Sequence, residues 1–188
     1  MIALVTGGAR SGKSTFAERY AAHLGERGIY IATSPVFDEE LEQRVKQHQV
    51  RRESSPFHWE TVEEPFQLAE KLTELGGRPD VQDGRTVLLV DCLILWLSNW
   101  LVRGEGHPSV EHLLEQIMAL QEVIRTFPGS LLLVTNEVGY GIVPDYPLGR
   151  VFRDVAGIMN QRIAQECEQV FLVTAGIPVE MKKQAFQF

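Results

Sequence analysis

Residues 2–14, IALVTGGARSGKS, decide the fold class and the first predicted site. The apolar run IALVT is typical of a buried strand, and the residues after the loop have the apolar periodicity of a helix. The loop between them fits G-x-x-x-x-G-K-[ST], with Gly7, Gly12, Lys13 and Ser14 at the fixed positions. Because this pattern follows a strand and opens a helix, it predicts a phosphate-binding P-loop rather than an ordinary glycine-rich turn.

Each part of this loop has a chemical reason to bind phosphate. Glycines let consecutive backbone N–H groups point at phosphate oxygens, and the N-terminus of the helix adds a favourable dipole. Lys13 is expected to reach the β- and γ-phosphates, and the Ser14 hydroxyl is expected to bind Mg²⁺. The sequence therefore predicts a nucleoside triphosphate as a substrate.

Strands and helices alternate along the rest of the chain. Continuously apolar strands separated by helices are typical of a parallel sheet that is covered on both faces. The sequence thus predicts an α/β fold with three layers, in a single domain over residues 1–188. Further strands are predicted at 28–33, 58–62, 86–91, 130–136 and 169–174, helices at 13–25, 37–53, 64–75, 92–103, 109–127 and 150–166, and loops at 76–85 and 137–149.

Composition excludes several classes of protein. The formal net charge of −7 argues against a nucleic-acid partner, because phosphate backbones are bound by basic surfaces. Cys92 and Cys167 have no paired spacing, so neither a disulfide framework nor a zinc site is predicted. The N-terminus has no basic segment before its apolar run, and the longest apolar run is interrupted by Asp91. We therefore expect a cytoplasmic protein with no integral membrane segment.

Two acidic residues follow buried strands, at the edge of a parallel sheet where ligands bind. Asp91 ends TVLLVD and is predicted to hold the metal ion of the P-loop, as a Walker-B acid does; the alternative is a helix N-cap. Glu137 follows LLLVTN, and its role stays open between a general base, a residue near the metal, and a cap of the following segment.

Five motifs occur together and in order: GGARSGKS, YIATS, R-x-x-x-H at Arg44 and His48, TNEVGYGIVP, and FRDVAGIMNQRIA. With this set, the sequence resembles the bifunctional cobinamide kinase / cobinamide-phosphate guanylyltransferase family, CobU, from residue 2 to about residue 182. The resemblance implies a RecA-like P-loop NTPase fold. It also implies two reactions: phosphorylation of adenosylcobinamide by ATP or GTP, and transfer of GMP from GTP to adenosylcobinamide phosphate through a guanylylated histidine. The products of the second are adenosylcobinamide-GDP and pyrophosphate.

The resemblance also assigns site residues, one position at a time. His48 matches the histidine that carries GMP, and Lys13 is the second catalytic residue. Mg²⁺ is the implied cofactor, with Ser14 and Asp91 as its ligands, and the family implies a homo-oligomer, for which we expect a trimer. The implied nucleotide-binding residues are Gly7, Gly8, Ala9, Arg10, Ser11, Gly12, Lys13, Ser14, Ala32, Thr33, Ser34, Arg44, Arg51, Arg52, Glu63 and Asp91.

The chain departs from the family pattern at one place. After Arg52 it inserts ESSP before Trp59, so whether Arg51 or Arg52 faces the nucleotide stays open.

On a helix, Arg44 and His48 at i and i+4 share one face, and neutral imidazole is a good nucleophile near pH 7. His58 is interpreted as structural.

Residues outside these motifs receive less specific interpretations. Trp96 and Trp100 are predicted to lie in the core or in a subunit contact. Arg153, Asp154, Asn160 and Gln161 form either part of a corrinoid or subunit interface or a buried salt bridge.

Two other functions compete with the bifunctional enzyme. One is a P-loop kinase for a small molecule that does not use His48. The other is a GTP-binding switch, which the sequence does not favour because it has no N-K-x-D motif for guanine recognition.

Overall fold

A computed structural model describes residues 1–34, 50, 52, 54–103 and 108–186. In these residues one seven-stranded sheet has the order β3-β2-β4-β5-β1-β6-β7, and only the β6–β7 pair is antiparallel. The predicted parallel α/β fold is confirmed. The strands are β1 (Ile2–Thr6), β2 (Arg27–Ala32), β3 (His58–Glu63), β4 (Thr86–Asp91), β5 (Ser130–Val134), β6 (Gln169–Thr174) and β7 (Ile177–Glu180).

Helices cover the sheet. The first packs across β1, β2, β4, β5 and β6, whereas the longer helices that follow pack against one another. Their apolar stripes bury β1, β4 and β5 almost completely, as expected for central strands of a parallel sheet. The helices are α1 (Lys13–Leu24), α2 (Leu68–Gly76), α3 (Pro79–Gln82), α4 (Leu93–Leu101), α5 (Val110–Arg125) and α6 (Pro147–Glu166), with 3₁₀ turns at Val138–Tyr140 and Lys182–Gln184.

Several predicted boundaries are wrong for local reasons. The helix predicted from residue 64 begins at Leu68, because the Glu64 carboxylate accepts hydrogen bonds from the N–H groups of Phe66 (3.0 Å) and Gln67 (2.7 Å) and forms a turn there. Helix α6 begins three residues before the predicted start, at Pro147, since proline fits the first position of a helix.

Two elements were not predicted at all. Helix α3 lies inside the predicted loop 76–85, where it buries Val81 completely. The other is β7, which pairs with β6 as the antiparallel edge of the sheet. The helix predicted over 37–53 lies outside the described residues except at positions 50 and 52.

The core includes both tryptophans of α4. Trp96 is 1% exposed and Trp100 is 8% exposed, and the indole N–H of each donates to the Phe66 carbonyl, at 2.8 and 3.2 Å. The core interpretation of these residues is therefore confirmed. No helix in the described part of the chain has the length and apolar character needed to cross a membrane.

The register of the sheet brings the ends of its strands to one edge. Ala32, the last residue of β2, lies opposite both Glu63 of β3 and Asp91 of β4. Asp91 in turn lies opposite Val134 of β5, which is paired with Val5 of β1. The P-loop, Asp91, Ala32 and Glu63 therefore share the carboxyl edge of the sheet.

Candidate active site

The P-loop backbone is held in a shape that only glycine allows at two positions. A Cβ atom on Gly7 would lie 2.4 Å from the Val173 carbonyl oxygen, and one on Gly12, where φ is +97°, would lie 3.2 Å from the Cα of Gly176. The Gly176 N–H donates to the Ser11 carbonyl at 2.8 Å. The turn between β6 and β7 thus packs against the P-loop and supports it, which the P-loop motif alone does not predict.

Lys13 lies folded over this loop. Its Nζ atom donates to the Gly8 carbonyl oxygen at 3.1 Å. Burial lowers the pKa of Lys13 below its ordinary value, although the charge of Asp91, and that of Cys92 when its thiol is ionised, act in the opposite direction. The ammonium group is therefore incompletely solvated and within electrostatic reach of Asp91, and an anionic phosphate would offset the cost of burying its charge.

Asp91 does not cap the helix that follows it. The N-cap residue of α4 is Cys92, and the Asp91 Oδ2 atom accepts a hydrogen bond from the Tyr30 hydroxyl at 3.1 Å. The cap alternative for Asp91 is therefore wrong. Burial raises the pKa of the Cys92 thiol to about 12, so this neighbour stays protonated near neutral pH and is not a competing nucleophile.

Tyr30 and Arg52 extend the environment of Asp91. The Arg52 guanidinium lies over the Tyr30 ring at 3.6 Å from its centroid, and only 5% of Arg52 is exposed. Burial, and then the charge of Asp91, raise the pKa of Tyr30 well above its ordinary value, so the phenol remains a donor. The Nε and Nη1 atoms of Arg52 have no hydrogen-bond partner where the structure describes the chain.

The YIATS segment plays a structural part as well. Thr33 is fully buried; its hydroxyl donates to the Cys92 carbonyl (2.7 Å) and accepts from the Cys92 N–H (2.8 Å). The Asn99 side chain donates to the carbonyls of Thr33 (2.7 Å) and Pro65 (3.0 Å). Since the Thr33 hydroxyl is already engaged, any nucleotide contact of this segment must come from its backbone or from Ala32 and Ser34.

Glu137 also does not act as a cap. Its side chain makes no capping hydrogen bond to the 3₁₀ turn that follows, and its Oε1 atom accepts from the Thr6 hydroxyl at 2.8 Å and from the Asn160 amide at 3.4 Å. Its backbone N–H donates to the Gly7 carbonyl at 3.4 Å. Glu137 is therefore attached to the start of the P-loop from a position 130 residues away in the sequence.

Two residues of the helix motif FRDVAGIMNQRIA make contacts near Glu137. The Arg153 guanidinium donates to the Gly139 carbonyl at 3.1 Å and so ties α6 to the loop after Glu137. Asn160 is 8% exposed, accepts from the Thr135 hydroxyl at 2.7 Å and donates to the Asn136 carbonyl at 3.1 Å. The sequence pointed to these residues but not to Thr6, Tyr30 or Thr135, whose polar groups face the site from within strands or their ends.

An open cavity of about 560 Å³ adjoins the P-loop on the side of β6 and β7. Gly12, Thr15 and Arg19 line it, together with the rings of Phe16 and Tyr20, which are stacked with centroids 5.6 Å apart. Its volume is within the range of small-molecule sites.

Some of the other predicted site residues lie in the described part of the chain, and others lie outside it. Glu63 lies exposed at the end of β3, and Gly8, Ala9 and Arg10 form the exposed crest of the P-loop. Arg44, His48 and Arg51 lie outside the described residues. His58 lies exposed in β3.

Comparison with known proteins connects this geometry to a family. Residues 3–181 match the family model described as cobinamide kinase / cobinamide phosphate guanyltransferase, CobU. The chain belongs to this family. The prediction that it is an enzyme of the kinase and guanylyltransferase type is confirmed by this membership.

Relatives in three bacteria are similar over almost their whole length. The chain is 44% identical over 179 residues to the bifunctional adenosylcobalamin biosynthesis protein CobP of Pseudomonas aeruginosa, covering 95% of this chain and 96% of the relative. It is 38% identical over 193 residues to the protein named CobU in Escherichia coli and in Salmonella typhimurium, covering 97% of this chain and 100% of each relative. A crystal structure of the RadB recombinase has a TM-score of 0.48 and 14% identity, with 91% of this chain and 73% of that chain covered.

Proposed function

We propose that the protein phosphorylates the hydroxyl group of adenosylcobinamide and then transfers GMP from GTP to the resulting phosphate, releasing pyrophosphate. The observation that carries this proposal is the P-loop with Asp91 at the same edge of the sheet, in a chain that matches the family over residues 3–181. The names of the relatives support both activities, since each is called a bifunctional adenosylcobalamin biosynthesis protein.

In the kinase reaction, the nucleotide phosphates bind to the P-loop N–H groups and to Lys13. The hydroxyl oxygen of adenosylcobinamide attacks the γ-phosphorus, and the bond to the bridging oxygen of the nucleoside diphosphate breaks. Such a reaction depends mainly on positioning and on charge stabilisation. The partly desolvated Lys13 provides the charge stabilisation, because a charge in a site of low dielectric interacts more strongly with phosphate than a charge in water does.

Ser14 and Asp91 are the residues that would hold Mg²⁺. They supply a hydroxyl and a carboxylate oxygen, the hard donors that Mg²⁺ prefers, and Asp91 lies at the same edge as the P-loop. The described residues contain no cluster of three or more His, Cys, Asp or Glu, which agrees with an ion held by one or two protein ligands plus phosphates. When bound, the ion would neutralise charge that develops on the phosphates.

For the guanylyl transfer, His48 is the proposed nucleophile. Its imidazole nitrogen attacks the α-phosphorus of GTP, pyrophosphate leaves, and the phosphate of adenosylcobinamide phosphate then displaces histidine from GMP. Because the transfer occurs in two steps, the anionic GTP and the anionic adenosylcobinamide phosphate do not have to meet in one transition state. Arg44, four residues before His48, and Arg52, two of whose side-chain nitrogens have no hydrogen-bond partner in the described part of the chain, would bind the phosphates.

The remaining nucleotide contacts follow the family pattern. We assign them to the whole P-loop, to Ala32, Thr33, Ser34 and Arg51, and to Glu63. We also expect a homo-oligomer, which by analogy with the family is a trimer. Light scattering of the purified protein would measure the mass of the assembly and test this expectation.

The test is to incubate the protein with GTP labelled at the α-phosphate. We expect a protein-bound label that is labile in acid and stable in alkali, as a histidine phosphoramidate is. His48→Ala should abolish the label. His58→Ala is the matched control and should keep it, because His58 lies exposed in β3.

Three outcomes separate the competing functions. A wild-type protein that phosphorylates adenosylcobinamide without forming the label is a kinase alone. Label that persists in His48→Ala assigns the nucleophile to another residue. A protein with neither activity, which hydrolyses GTP slowly, would be the switch.

A further inference from the structure

Thr6, Thr135, Asn160 and Glu137 form one buried polar network at the start of the P-loop. Thr6 is 4% exposed, Asn160 8% and Thr135 not at all. Buried polar side chains are costly unless they are satisfied, and a satisfied network fixes the orientation of its members. Among these four side chains, every hydrogen bond leads, directly or through Asn160, to one oxygen of Glu137, and Asn160 also donates to the Asn136 carbonyl.

These hydrogen bonds fix the carboxylate of Glu137, and the carboxylate makes no capping hydrogen bond to the 3₁₀ turn that follows. Both donors, Thr6 and Asn160, reach Oε1, and Oε2 has no hydrogen bond to any residue that the structure describes. The backbone N–H of Glu137 donates to the carbonyl of Gly7, so the residue sits directly beside the loop that binds the phosphates. A carboxylate with one oxygen fixed by two hydrogen bonds and the other left without one has the form of a positioned base.

We propose that Glu137 is the general base of the kinase reaction, a proposal that rests on the proposed function of the site. As the hydroxyl oxygen of adenosylcobinamide bonds to the γ-phosphorus, its proton passes to Oε2 of Glu137. The electron pair of the broken P–O bond stays on the departing nucleoside diphosphate. One bond to phosphorus forms, one breaks, and the proton has a defined acceptor.

Asp91 is less suited to this task. Its Oδ2 atom already accepts from Tyr30, and the proposed function assigns the carboxylate to Mg²⁺, so it is already engaged. The neighbours that hold Glu137 are the neutral groups of Thr6 and Asn160. Glu137 also lies just beyond β5, the strand between β4 and β1, so along the carboxyl edge of the sheet its place is between Asp91 and the P-loop.

The guanylyl transfer gives the proposal its internal control. Neither of its two steps removes a proton from a hydroxyl group, because imidazole and a phosphate dianion are the nucleophiles. Glu137 should therefore be needed for one reaction and not for the other, whereas a residue that binds metal or shapes the P-loop would be needed for both.

The experiment measures both reactions in Glu137→Gln. The amide oxygen of glutamine can still accept from Thr6 and Asn160, so the network is retained while the proton acceptor is lost. We expect kcat for adenosylcobinamide phosphorylation to fall about 10²–10⁴-fold, the usual contribution of a general base. The KM for nucleotide and the yield of GMP-labelled protein should stay within about twofold of wild type.

Three further variants keep the result interpretable. Glu137→Asp restores a carboxylate and should recover part of the lost kcat. Thr6→Val removes one hydrogen bond to Oε1 and should lower kcat about tenfold, a smaller loss than that of Glu137→Gln. Glu122→Gln, which removes an exposed carboxylate of α5, should behave as wild type in both assays.

Each contrary result has a defined meaning. Unchanged kcat in Glu137→Gln would overturn the proposal while leaving the proposed function intact. Loss of both phosphorylation and GMP labelling would also overturn it, in favour of a metal or phosphate role. A wild-type protein that does not phosphorylate adenosylcobinamide would overturn the proposed function and this assignment with it.

Discussion

Asp91 and Glu137 follow neighbouring parallel strands, yet their surroundings differ in kind. Asp91 ends β4 among charged and aromatic groups, with Lys13 nearby, the Tyr30 hydroxyl on its Oδ2 atom, and Arg52 over the Tyr30 ring. Glu137, just beyond β5, is held by neutral side chains. The same sequence pattern, an acid after an apolar strand, thus yields two chemical environments. Neighbours from distant parts of the chain decide what each acid can do.

The comparison predicts the largest loss for Asp91→Asn. This substitution removes the carboxylate charge from the proposed Mg²⁺ site while it keeps the size of the side chain. Because both reactions need charge stabilisation on phosphates, each rate should fall roughly 10³-fold. Rates of phosphorylation and GMP labelling measured over a range of Mg²⁺ concentrations check this, and a loss confined to one reaction would contradict a shared site.

Lys13→Met should also affect both reactions, by about 10²-fold each, since it removes one phosphate donor but leaves the backbone cradle. The matched control is Arg27→Met, which removes a cation from the first residue of β2, at the edge of the sheet opposite the P-loop. Rates that are unchanged in Lys13→Met would refute the proposal that one P-loop serves both reactions.

Tyr30→Phe tests the support of Asp91. It removes the 3.1 Å hydrogen bond to Oδ2 but keeps the ring on which Arg52 lies. We expect a loss of about tenfold in both reactions, the effect of one hydrogen bond to a charged group. A larger loss in phosphorylation alone would mean that Tyr30, and not Glu137, handles the proton of the substrate.

The smallest predicted effect is on stability. Burial lowers the pKa of Lys13 in the folded protein, so at neutral pH the charged lysine destabilises the fold. Lys13→Met should therefore raise Tm by about 1–2 °C at pH 7.

The sign of the pH dependence follows from the same shift. Between the lowered pKa and the ordinary value of 10.5, the unfolded chain binds more protons than the folded one, so wild-type stability rises with pH in that window. The advantage of Lys13→Met should shrink accordingly. Thermal melts from pH 7 to 10.5 measure it, and an advantage that grows with pH would be inconsistent with burial as the cause.

Local patterns predicted much of this molecule. The P-loop was found because strand, glycines, lysine and helix occupy thirteen consecutive residues, and β4 was bounded correctly by its apolar run and Asp91. Family motifs added Arg52 and the YIATS segment. Edge strand β7 escaped prediction because its four residues are mostly exposed and carry no alternating burial pattern.

Contacts between distant segments could not be predicted in the same way. Thr6 lies 131 residues from Glu137, and Tyr30 lies 61 residues from Asp91. Each appears in the sequence as an ordinary strand residue, and only the register of the sheet brings its hydroxyl to an acid. For this reason the sequence left the role of Glu137 open, whereas the structure excludes the cap.

The most direct measurement compares Asp91→Asn with Glu137→Gln in two assays side by side: phosphorylation of adenosylcobinamide, and covalent labelling of the protein by GTP labelled at the α-phosphate. If the two strand ends have different roles, Asp91→Asn loses both reactions, and Glu137→Gln loses phosphorylation but forms the label at the wild-type rate. Parallel losses of both reactions in the two variants would contradict the division of roles between Asp91 and Glu137.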